Sequence, residues 1–96
     1  DIVNIIPALQ TKKVFIIGVT ENEDSVLAQE SDLLVKVKIE READAFNMLA
    51  TTSTMAVVAV FDAICIALMY YTNYTREQFV IIHPGGAVGE RLLKSV

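Results

Sequence analysis

Two short stretches hold the residues best suited to proton chemistry: the acidic segment Glu40-Arg41-Glu42-Ala43-Asp44 and the block Ile82-His83-Pro84-Gly85-Gly86-Ala87-Val88-Gly89. His83 is the chain's one histidine, and an imidazole can both take and give a proton near neutral pH. Pro84 biases His83 away from helical backbone geometry. Gly85 and Gly86 allow conformations or close approaches that a side chain would forbid. Two readings of His83 stand side by side: an ordinary turn residue, or a ring aimed by a stiff turn. The acidic segment offers Glu40, Glu42 and Asp44. A carboxylate and an imidazole held near a substrate can divide proton abstraction and delivery, each worth about 10²–10⁴-fold when positioned. Glu40 and Glu42 are equally readable as solvated surface charges, with Arg41 an ordinary neighbour. No Ser-His-Asp order, Gly-x-Gly-x-x-Gly loop or metal-ligand spacing occurs.

These stretches need elements to carry them. Ile2, Ile5, Ile6 and Leu9 fall at helical spacing over residues 1–11, with Pro7 kinking the helix or marking its first turn. Val14-Phe15-Ile16-Ile17-Gly18-Val19 is the continuous run of a parallel strand buried on both faces. A polar turn, Thr20 to Asp24, leads into a short helix, Ser25 to Glu30. Leu33 to Ile39 reads as a second strand, with Val35, Val37 and Ile39 on one face and Lys36 and Lys38 on the other. Thr51-Thr52-Ser53-Thr54 reads as the cap of a long helix running to Tyr71. Thr75 caps a short helix containing Arg76-Glu77-Gln78-Phe79, and a last helix covers Val88 to Lys94. This order is half of an open α/β sheet, whose ligands lie beyond the carboxyl ends of the strands. The two loops at those ends are 18–22 and 40–44.

Composition narrows the function classes. The 96 residues suffice for one small domain or part of a larger one. The opening Asp1, already in helical pattern, suggests a piece of a longer chain. At 53% hydrophobic, with mean hydropathy +0.46, the sequence is apolar enough to expect burial against something outside it. A net charge of −4 without a Lys/Arg run argues against nucleic acid. Cys65, a single cysteine in an apolar stretch, reads as a buried, inert thiol in a cytoplasmic protein. Residues 55–71 are apolar but carry Asp62 near the middle. An Asp at a bilayer centre costs about 2.5–3.5 kcal/mol, and the seven Val, Ile, Leu and Phe residues return roughly 0.3–0.6 each. A buried helix, with no membrane, is the expectation.

Glu40-Arg41-Glu42-Ala43, Thr51-Thr52-Ser53-Thr54, Phe61-Asp62-Ala63 and His83-Pro84-Gly85-Gly86-Ala87-Val88-Gly89 with Arg91-Leu92-Leu93 together resemble the sugar isomerase (SIS) domain. More narrowly they are similar to the arabinose 5-phosphate isomerase group and its phosphosugar-isomerase relatives. The resemblance covers nearly the whole chain. It implies an α/β fold, an open parallel sheet flanked by helices in a flavodoxin-like three-layer arrangement, incomplete here. Residues 1–96 would be the C-terminal part of a single such domain.

The implied function is aldose–ketose isomerisation of a sugar phosphate through an enediol, without cofactor or metal. The alternative is a non-catalytic domain that binds sugar phosphate for regulation. By resemblance, His83 is the proton carrier and Glu42 its acidic partner, while Lys38, Ile39 and Glu40 line the substrate site. The resemblance also implies a homodimer or homotetramer, with the histidine reaching a neighbour's site. Phosphate-gripping Gly-Lys-Ser and Ser-x-Ser-Gly-x-Thr loops belong to the upstream half, so this chain alone is not expected to be active. Two departures stand out: Asp44-Ala45 replaces the usual Cys-Pro, and Ala50 replaces a Pro, so the loop beside Glu42 is stiffened differently.

Overall fold

A computed structural model describes residues 2–94. It divides into two compact units, Asp1–Val60 and Phe61–Val96. In the first, a 3-10 turn (Ile2–Ile5) runs into α1 (Ile6–Thr11). Pro7 occupies the first turn of α1, where a missing N–H costs no intrahelical bond. Ser25 caps α2 (Val26–Gln29), its hydroxyl accepting from the Ala28 N–H at 3.2 Å. Strands β1 (Ile17–Thr20) and β2 (Leu33–Lys36) pair in parallel, Ile17 opposite Leu33 through Thr20 opposite Lys36. The crossover that parallel pairing requires is made by α2.

Asp32 pins the start of the sheet. Its carboxylate accepts the Ile16 N–H at 2.7 Å, while its own N–H returns to the Ile16 carbonyl at 2.8 Å. Gly18 sits where a Cβ would run into the Ser31 hydroxyl, itself bonded to the Leu27 carbonyl at 2.6 Å. The strand and the end of α2 approach closely because that position has no side chain.

The sheet departs from the expected double burial. Ile16 and Gly18 are buried, but Phe15 is 70% and Ile17 56% exposed. Successive residues of a strand face opposite sides, and only one side of this two-stranded sheet is covered. The second strand is also shorter than expected. Its alternation nonetheless continues past Lys36: Val37 and Ile39 are half-buried, while Lys36 and Lys38 are exposed. Lys36 is ion-paired with Glu23, which holds the Glu23 carboxyl below its ordinary range.

Helix α3 (Thr52–Tyr71) contains no fully buried residue. Among its apolar side chains Met55, Val58, Phe61, Ile64, Ile66 and Leu68 are exposed. Cys65 is exposed as well, against the expected burial, because it lies on this uncovered helix. By length and composition alone, α3 could cross a membrane.

In the second unit, α4 (Arg76–Ile82) begins with a capping box at Thr75, as its sequence suggests. The Thr75 hydroxyl accepts from the Gln78 N–H at 3.2 Å, and the Gln78 side chain accepts from the Thr75 N–H at 2.9 Å. Helix α5 (Gly86–Lys94) packs against α4 across the His83 turn.

Candidate active site

Beyond the carboxyl ends of β1 and β2 lies a cleft of about 310 Å³. Glu21 enters it from the end of β1. Ile39, Glu40, Arg41 and Glu42 enter from the segment after β2, and Asn47 and Ser53 complete it. This is where an open parallel sheet offers a ligand site. Of the expected substrate-lining residues, Ile39 and Glu40 are there. Lys38 is exposed and outside the lining.

Glu42 reaches the start of α3. One carboxylate oxygen accepts the Ser53 backbone N–H at 2.8 Å and the other accepts the Ser53 hydroxyl at 2.6 Å. The first N–H groups of a helix lack intrahelical partners, and the helix dipole favours an anion there. The expected cap by the 51–54 hydroxyls is therefore replaced by Glu42. The Thr51 hydroxyl instead accepts the Ala43 N–H at 2.9 Å and donates to the Leu49 carbonyl at 3.1 Å. Thr54 bonds back to the Ala50 carbonyl at 3.1 Å.

Further hydrogen bonds shape the same segment. The Glu42 N–H donates to Asn47 Oδ1. Arg41 donates to the carbonyls of Glu42 at 3.2 Å and Asp44 at 3.1 Å. Asp44 accepts the N–H groups of Phe46, Met48 and Leu49, each at 2.9 Å. Sequence alone reads Ser53 only as part of a capping run and Asp44 only as a further acid, and it gives Asn47 no role. A short polar residue tolerant of the left-handed conformation, such as Asn47 at φ 57°, was the available signal.

Both carboxyls titrate below their ordinary values. For Glu42 the cause is first the Ser53 hydroxyl and then its N–H. For Asp44 desolvation acts upward, and the N–H groups of Leu49, Met48 and Phe46 together outweigh it. A depressed folded pKa contributes stability that is complete above the ordinary carboxylate range. That contribution is lost as pH falls through the depressed values, below about pH 4. Ser53→Ala should therefore lower the thermal midpoint of the full-length protein at pH 7. The gap between variant and parent midpoints should shrink as pH falls below the carboxylate range, and a gap that does not change with pH would refute the assigned bond.

His83 stands in the second unit, at the C-terminus of α4. Its N–H donates to the Phe79 carbonyl at 3.0 Å. Its exposed ring stacks on Phe79, with centroids 4.7 Å apart and planes 10° from parallel. Phe79 in turn meets Tyr74 edge-on at 6.3 Å. Such pairs add about 0.5–1.5 kcal/mol beyond burial and fix ring orientation. The Pro-Gly-Gly turn thus has an aromatic backing that its local sequence did not announce. Gly86 takes φ +69°, and Gly89 lies directly against the carbonyl groups of His83 and Pro84. Among the described residues, no three His, Cys, Asp or Glu side chains gather as metal ligands.

No protein-family model matches the chain. It is 33% identical over 93 residues to the arabinose 5-phosphate isomerase KdsD of Yersinia pestis, covering 97% of this chain and 28% of that protein. A "putative sugar-phosphate isomerase" of Listeria monocytogenes, known as a crystal structure, matches with TM-score 0.85 and 58% identity over 88% of this chain. A protein of E. coli CFT073, solved in complex with a sugar phosphate, matches with TM-score 0.83 and 31% identity over 86%. The chain spans 44% of each of these two solved chains. Along nearly its whole length it is similar to part of the sugar-phosphate isomerases, as its motifs implied. Its α/β fold is an incomplete form of theirs.

Proposed function

We propose that this chain is part of a phosphosugar isomerase that interconverts aldose and ketose forms through an enediol. The observation that carries the reading is the shared fold with the protein solved in complex with a sugar phosphate. The cleft at the strand ends, lined by carboxylates, gives that likeness a place to act.

In this reading His83 carries the proton. It can move one between the anomeric hydroxyl and the ring oxygen to open the sugar. In the open form it can take the proton from C2, leaving the C1=C2 enediol, and deliver to C1 a proton that has exchanged with solvent. A proton moves from the C2 hydroxyl to the C1 oxygen in compensation, so no electron acceptor enters. Glu42, held as an anion by Ser53, is the acidic partner. Ile39 and Glu40, which line the cleft, serve the substrate. The protein acts as a cytoplasmic homo-oligomer, without nucleic acid or membrane. The open sides of α3 are covered by the remaining chain or by a second copy, since the solved relatives hold more than as much chain again.

Incubating the full-length protein with arabinose 5-phosphate and a panel of pentose and hexose phosphates tests the reading. Accumulation of the ketose from one of them is expected. Saturable binding without turnover across the panel would instead favour the regulatory alternative.

A further inference from the structure

The segment between Glu42 and α3 contains no helix or strand, yet it forms a wall of the cleft. Packing within the chain does not hold it: Phe46, Met48 and Leu49 are all exposed. Its backbone bonds run to side chains instead, and most converge on one residue. Asp44 Oδ1 accepts the N–H groups of Met48 and Leu49, Oδ2 accepts that of Phe46, and the Asp44 carbonyl accepts the Asn47 N–H at 3.1 Å. The turn so formed places Asn47 in the left-handed region and its side chain on the Glu42 N–H.

We propose that Asp44 is a positioning residue of the cleft: its carboxylate fixes the 46–49 turn, and through Asn47 that turn sets the backbone of Glu42. Arg41 adds a second tie, bridging the carbonyls of Glu42 and Asp44. The effect on turnover rests on the isomerase reading above; the effect on the backbone does not. A side chain without acceptors here leaves three N–H groups to water and frees Asn47 to leave its conformation. Such a displacement beside the reacting groups costs rate even where affinity survives.

The test uses the full-length protein with Asp44→Ala and Asp44→Asn. Asparagine keeps one acceptor oxygen for Met48 and Leu49 but presents an NH₂ to the Phe46 N–H. Amide exchange should accelerate about tenfold or more at Phe46, Met48 and Leu49 in the alanine variant, and at Glu42 as well. The asparagine variant should be intermediate. At a temperature where circular dichroism shows all three proteins folded, kcat for arabinose 5-phosphate should fall about tenfold in the alanine variant, more than KM changes. Unchanged exchange at Glu42, or parental kcat with a loosened turn, would overturn the proposal. Should the alanine variant fail to fold, the asparagine variant alone decides by the same two readouts. Should the parent itself turn over no sugar phosphate, the isomerase reading fails and exchange at Glu42 still decides the hold of Asp44.

Discussion

Replacing His83 by alanine in the full-length protein is expected to lower sugar-phosphate turnover about 10²–10⁴-fold, the range for losing one positioned acid–base group. Binding should survive, because the ring carries a proton in this account and does not grip phosphate. His83→Gln keeps a planar polar side chain of similar reach but cannot shuttle a proton, so it should be as inactive as alanine. Saturation transfer or calorimetry with arabinose 5-phosphate separates the two effects. Normal kcat in either variant would remove His83 from the chemistry. Loss of binding with unchanged kcat would make it a binding residue.

The second large effect is expected at Gly89. A Cβ built there falls 2.5 Å from the carbonyl carbon and oxygen of Pro84 and 2.8 Å from the His83 carbonyl oxygen. All three are backbone atoms, so no side chain can swing away to make room. Overpacking of this kind costs about 1–3 kcal/mol, relieved only by moving the turn or the first part of α5. Movement of the turn displaces His83. Gly89→Ala should therefore lower the thermal midpoint and reduce kcat about tenfold to a hundredfold, as a misplacement near 1 Å does. Gly85 supplies the contrast within the same turn. A Cβ there meets nothing within 4 Å, so Gly85→Ala should change stability by less than about 0.5 kcal/mol. Equal melting of the two variants would contradict the crowding at Gly89.

Local signals were readable where their partners lie close in sequence. Ser25 and Thr75 cap their helices within one turn, and both strands show in their β-branched runs. The lysine alternation after Leu33 survives as exposure even where strand pairing ends. Partners distant in sequence left no such trace. Ser53 lies 11 positions from Glu42 and looks like one member of a capping run. The anchoring of α3 by a carboxylate from another segment depends on how the loop folds back, which no spacing rule encodes. Burial of β1 and α3 was misjudged for a related reason. Apolar sequence records that a surface is to be covered, and this chain by itself covers only part of it. The likeness to sugar-phosphate isomerases was legible through the whole motif set more than through any one residue. His83 alone had an ordinary explanation, and so did Glu42.

Glu42 departs from that ordinary explanation, a solvated surface charge, by bonding Ser53 at the start of α3. A carboxylate with both oxygens bonded to Ser53 is held anionic and aimed, with little capacity to exchange protons while those bonds persist. In the proposed mechanism, proton transfer therefore falls to His83, and Glu42 serves as a fixed charge.

The central claim is isomerisation through an enediol with His83 moving the proton. Proton NMR of the full-length protein acting on arabinose 5-phosphate in D₂O tests it most directly. The account predicts ketose formation with deuterium entering at the exchanged carbon, and loss of both signals in His83→Gln. Conversion without any deuterium, or no conversion by the parent protein, would contradict it.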